Sequence, residues 1–104
     1  MPGKYVWVFV SGNVVSGAFS TLERAEEWIS RHALTGLITA YPVDHGVYDW
    51  AVENSFFHPK KEHHGTPHHI ATFSGGALPH VHYEEGKAVA GRDHAIRFMT
   101  LQSK

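Results

Sequence analysis

Residues 36–52 read GLITAYPVDHGVYDWAV, and how this stretch is read decides the fold class. Leu37, Thr39 and Tyr41 alternate with Ile38 and Ala40. A period of two, rich in β-branched and aromatic residues, predicts a strand over 37–41. Pro42 has no backbone N–H, so it is expected to end that strand or to sit at a sheet edge. Asp44-His45-Gly46 has turn chemistry, because glycine takes positive φ freely and a short aspartate can bond its own backbone. Residues 47–52 resume the alternation, with Val47, Asp49 and Ala51 on one side and Tyr48, Trp50 and Val52 on the other. The expectation is a β-hairpin about residues 44–46.

Working back towards the N-terminus, residues 4–10 predict a first strand with Tyr5, Trp7 and Phe9 on one face and Val6, Val8 and Val10 on the other. A strand apolar on both faces is expected to be covered on both. Ser11-Gly12-Asn13 supplies a turn, and residues 14–19 return as a second strand in which Gly17 marks a candidate bulge. Ser20 and Glu23 match a capping box, in which each side chain bonds the other residue's free backbone N–H at a helix start. The helix that follows should bury Leu22, Ala25, Trp28, Ile29 and His32, with His32 at its end, and turn Glu23, Glu26, Glu27 and Arg31 to water.

Forward from the central stretch, residues 54–65 predict a long surface loop anchored by Phe56 and Phe57. Thr66-Pro67 is an N-cap followed by proline at the first helical position, so residues 68–73 should form a short helix with Ile70 and Phe73 inward. Ser74-Gly75-Gly76 breaks it. Residues 80–83 predict a strand with Val81 and Tyr83 on one face and His80 and His82 on the other. Residues 95–101 fit a terminal strand or helix, and the last residues should fray. The resulting fold class is α+β, a four- to five-stranded antiparallel sheet built on a β-β-α-β-β core. One main helix covers one face, and a short second helix follows. Residues 1–86 form a single domain and 87–104 an extension. The second sheet face needs a cover, either the 54–76 segment folded back or a second copy of the chain, and a homodimer is the expectation.

Composition narrows the functional classes. A chain of 104 residues has the length of one domain. Its formal net charge of −1 gives no electrostatic case for nucleic acid or for a membrane surface. There are no cysteines, which removes disulfide and thiol chemistry and suits a reducing cytoplasm. The first residues lack the pattern of a signal peptide and no apolar run approaches a membrane span, so a soluble cytoplasmic protein is expected. Ten histidines make the chain histidine-rich. They protonate near their unperturbed pKa of ~6.5, so solubility and any interface are expected to respond to mild acid. Light scattering from neutral to mildly acidic pH checks this, and an association state that stays flat through that window refutes it.

Two groups of residues are candidates for function. Tyr41, Asp44, Tyr48, Asp49 and Trp50 gather acid and aromatic character around the central stretch. Asp49 either faces water or stands with Asp44, Tyr41 and Tyr48 at the rim of a binding pocket. His80 and His82, at i and i+2 on one strand face, form a pair for zinc or nickel that needs one or two more ligands. His58, His63, His64, His68, His69, Asp44 or Asp49 are the candidates to supply them. The pair could instead bond Asp49 or Tyr48 structurally. No glycine-rich phosphate loop, nucleophile elbow or dinucleotide fingerprint is present, so no catalytic residue is assigned.

The runs GAFSTLERAEEWI, LTGLITAYPVDHGVYDWA and HVHYEEG resemble a family of small bacterial proteins of unknown function. Its pattern has Gly-x-Phe before an Ala-Glu-x-Trp-Ile helix, a Tyr-Pro-x-Asp-x-Gly-x-Tyr-Asp-Trp-Ala block and a His-x-His-Tyr-Glu ending. The resemblance spans residues 6–86 and implies no mechanism. From the residues themselves the leading reading is a protein-interaction module, an accessory or immunity-like protein. The alternatives are a histidine-based divalent-metal or small-ligand binder, and a small acid/base enzyme using His80 or His82 with Asp49.

Overall fold

Alternating apolar residues separated by a Gly-Asn turn give the first two strands, β1 (Tyr5–Ser11) and β2 (Val14–Phe19). The structure, a computed structural model, describes residues 4–73 and 76–102. Gly12 takes φ 60 in the turn between the strands. The register matches Phe9 with Gly17 and Val10 with Val15. Ser16 is therefore the extra residue, a bulge directly beside Gly17. β3 (Gly36–Pro42) ends at Pro42 as expected and runs antiparallel to β1. β4 (His80–Glu84) pairs with β3, and β5 (Lys87–Ala90) pairs with β4. The result is a five-stranded antiparallel sheet in the order β2-β1-β3-β4-β5, in the α+β class the sequence predicts.

One sheet face forms the core. Alternation turns Trp7 and Phe9 of β1, Ile38 and Ala40 of β3, and Val81 and Tyr83 of β4 to the same side. Against them lie Leu22, Ala25 and Ile29 of α1 (Leu22–Arg31), spaced to share one helix face, and Ala95 of α4 (Arg92–Gln102). Residues 87–102, expected only as an extension, thus supply both the last strand and a second long helix. Trp28 is half-buried between Phe9 and Phe19, with ring centroids 5.4 and 5.3 Å away.

Three details of α1 differ from the expectation. The cap is Thr21, whose hydroxyl accepts from the Arg24 N–H at 3.1 Å, in place of Ser20. Residue 24 is then the third helical position, and an arginine there cannot return the bond that Glu23 was expected to give. His32 is the exposed C-cap, outside the buried stripe. Glu26 is half-buried, held against the Tyr83 hydroxyl of β4.

The main correction concerns residues 47–52. They form a helix, α2 (Val47–Glu53), so the central stretch is a strand followed by a helix and not a hairpin. Six residues are too few to separate a period of two from one of 3.6. Trp50 and Ala51 are buried together, at i+3 and i+4 from Val47, the spacing of one helix face. Gly46 is the N-cap with φ −66, and Asp49 stands in the first turn, where free N–H groups favour negative charge. The positive φ belongs to Asp44 (φ 61) and not to Gly46. Asn54 closes the helix, its side-chain amide donating to Trp50 O at 2.8 Å.

The chain divides into two compact units, Met1–Val43 with Leu78–Lys104, and Asp44–Ala77. The first holds the sheet, α1 and α4. The second holds α2, the 54–65 loop and α3 (Pro67–Ala71), which starts at the predicted Thr66 cap and Pro67. Phe73 is half-buried as expected, but Ile70 is 42% exposed because one short turn directs only some of its side chains inward. The break expected at residues 74–76 lies partly outside the described residues. Among the described residues no helix is long and apolar enough to cross a membrane.

Candidate functional site

In the second unit, α2 presents acid outward over an aromatic base. Asp49 and Glu53 are one helical turn apart and both exposed. Glu53 Oε2 accepts from His45 Nε2 at 3.2 Å. The Asp49 carboxylate lies over Gly46, where an added Cβ would meet its Oδ2 at 3.3 Å. Asp44 is exposed, in a left-handed conformation that aspartate tolerates better than most residues. Among the described residues no hydrogen bond or ion pair engages the carboxylate of Asp44 or Asp49.

The aromatic members of the expected site act from beneath. Trp50 is buried and stacks on Phe56, with centroids 5.1 Å apart and planes at 19°. Tyr48 is half-buried against Phe57, His69 and Phe73. The exposed ring is Phe56, at 53%, which sequence reasoning placed only as a loop anchor. Tyr41 sits near the end of β3 in the first unit.

His80 and His82 do share one face of β4, with ring centroids 5.5 Å apart. His80 Nδ1 donates to Leu78 O at 2.8 Å, since a carbonyl can only accept, and this leaves the Nε2 lone pair outward in the neutral ring. The structural partner of His80 is therefore a nearby carbonyl. Among the described residues the one convergent group of three or more His, Cys, Asp or Glu is a different one: His63, His64 and His69, whose ligand nitrogens all lie within 4.8 Å of one another. His58 and His68, also expected as partners, are outside that group. The dense histidine segment was legible in the sequence; which three of its members converge was not.

A second feature escaped the sequence reading. Glu26, expected at the surface, accepts from the Tyr83 hydroxyl at 2.7 Å and from Arg92 Nε and Nη2 at 2.7 and 3.0 Å. Partial burial pushes the Glu26 carboxyl up, but the bonds from Arg92 and Tyr83 and the Arg92 charge outweigh it and hold the carboxyl below its ordinary value. Burial, then the Glu26 bond and charge, hold the Tyr83 phenol well above its own, so it remains a donor. This group ties α1, β4 and α4 together. Its sequence signal is weak: Glu26 directly follows buried Ala25 and so borders the apolar stripe.

No curated protein and no solved structure matches the chain. The domain of unknown function DUF7710 matches residues 6–89, from within β1 to within β5, and the chain belongs to that family.

Proposed function

We propose that this chain is a small protein-interaction module that captures a basic segment of a partner protein on the outer face of α2. The observation that carries the reading is the pair Asp44, in the turn before α2, and Asp49, on a helix whose hydrophobic side is locked by Trp50, both carboxylates exposed and unengaged among the described residues. Glu53 adds a third carboxylate, and Phe56 an apolar contact of the kind enriched at interfaces. Carboxylates held at a surface steer an oppositely charged partner and set its register. The absence of cysteine supports placing this role in the bacterial cytoplasm.

Self-association belongs to the same reading. Val14 and Val15 on edge strand β2 are 62% and 64% exposed, and Val89 on the opposite edge strand β5 is 55% exposed. Apolar side chains on open sheet edges favour pairing with a second copy.

Asp44→Lys/Asp49→Lys is expected to weaken partner capture by about tenfold or more, since like charges facing one another at an interface cost several kcal/mol. The fold should survive, with about 1 kcal/mol or less lost where Asp49 leaves the first turn of α2 and about 1 kcal/mol where lysine takes the left-handed position 44. Native mass spectrometry of untagged protein from its host reads partner and dimer together, and circular dichroism checks the fold. Capture that survives the double reversal sinks this surface, and a bare monomer sinks the dimer.

A further inference from the structure

The segment from residue 63 to residue 69, HHGTPHH, carries four histidines in seven residues, and local folding selects three of them. Thr66 is the selector. Its hydroxyl donates to His63 O at 2.8 Å and accepts from the His69 N–H at 3.3 Å, joining the turn before α3 to the first turn within it. Gly65, at φ +84, reverses the chain between them. The imidazoles of His64 and His69 stand against the Phe57 ring at 4.9 and 5.6 Å, and His69 also meets Tyr48 and Phe73 at 5.7 Å each. His68, one residue away, faces elsewhere and is exposed. Three imidazoles thereby converge, His64 and His69 on the aromatic base and His63 against them, with ring centroids 4.5, 4.8 and 5.6 Å apart.

We propose that His63, His64 and His69 form a binding site for a borderline divalent cation, with Zn2+ as the reference ion and solvent completing the coordination. The donor set is all nitrogen, which suits zinc, copper or nickel and excludes the hard, oxygen-seeking Mg2+ and Ca2+. Metal ligation needs neutral imidazole. None of the three ligands is an α2 carboxylate, and the site does not depend on the role of those carboxylates.

The hydrogen bonds add a specific consequence. His64 Nδ1 accepts the backbone N–H of Lys60 at 2.9 Å and of Lys61 at 3.1 Å, so in the neutral ring the hydrogen is on Nε2. A cation that takes Nδ1 displaces both N–H groups. A cation that takes Nε2 sends that hydrogen to Nδ1, which can then no longer accept. Either way the bonds to Lys60 and Lys61 are given up, and cation binding is coupled to rearrangement of the 60–64 turn.

Calorimetric titration of the chelator-stripped full chain with ZnCl2 tests the proposal. One Zn2+ per chain and a rise in melting temperature are expected. His63→Ala and His69→Ala should each weaken binding by at least about tenfold, a loss typical even of residues that only support a ligand. His68→Ala, in the same segment, and His80→Ala/His82→Ala should leave it unchanged. The melting temperatures of the metal-free variants separate lost binding from lost folding. In NMR the Lys60 and Lys61 amide resonances should shift on saturation, and still resonances overturn the coupling. Non-saturable binding, or binding that depends on His80 and His82, overturns the site.

Discussion

Gly36→Ala is expected to lower the melting temperature by roughly 12–24 °C, the largest single-residue effect predicted for this chain. Gly36 opens β3, in the middle of the sheet, opposite Tyr83 of β4. A Cβ there would lie 2.5 Å from Phe9 Cζ and 2.6 Å from Val10 O. Phe9 cannot swing away, because it is 2% exposed and its ring meets Trp28 edge-on at 5.4 Å. Val10 O belongs to the main chain of the neighbouring strand, so relief there would displace the β1–β3 pairing. One methyl group must therefore push apart either the paired strands or a packed aromatic pair. Overpacking typically costs about 1–3 kcal/mol, and with no flexible neighbour the expectation is about 3 kcal/mol. In a domain near this size each kcal/mol moves the melting point by roughly 4–8 °C. Gly76→Ala is the control, since among the described residues nothing lies within 4 Å of its added Cβ. Scanning calorimetry of the two variants decides the matter. Equal melting points would mean that the Phe9 ring yields freely.

Glu26→Ala should cost about 2–3 kcal/mol, mostly through a residue it does not itself contain. Tyr83 is 3% exposed, and its hydroxyl would lose its carboxylate acceptor inside the core. An orphaned buried donor costs about 1–3 kcal/mol. The Arg92 contribution is smaller, since that side chain is 46% exposed and water screens the pair to about 1 kcal/mol at most. Adding Tyr83→Phe to Glu26→Ala should recover much of the loss, because no hydroxyl is then left without a partner. A fully additive double variant would refute the mechanism.

The same group gives a pH dependence of known sign. The folded-state Glu26 carboxyl titrates below its ordinary value, so the folded chain binds its proton less readily than the unfolded one. The contribution is complete above the ordinary carboxylate range and is lost as pH falls through the lower, folded-state value. Chemical denaturation of Glu26→Gln across the acidic range should show a shallower fall in stability than the parent chain. An unchanged slope would assign the acid sensitivity to other groups.

The local periods of the chain determined much of its architecture unaided. Residues 4–10 and 37–41 read as strands from their β-branched and aromatic content and the turn residues or proline that bound them, and the turn at 11–13 returns 14–19 beside the first. Leu22, Ala25 and Ile29 repeat at a spacing no strand can use, and Thr66-Pro67 starts a helix by cap chemistry alone. Tertiary structure decided the rest, where local rules leave two answers open. Residues 47–52 satisfy both periods, and the joint burial of Trp50 and Ala51 chose the helix. Glu26 became a member of the core margin because its partners Tyr83 and Arg92, 57 and 66 residues further on, fold onto it. In the histidine-rich segment, composition offers every imidazole equally. The turn at Gly65 and the Thr66 hydroxyl bring His63, His64 and His69 together and leave His68 out. Local propensity acts over a few residues, whereas a site is a set of distances, and those exist only once the chain has closed on itself.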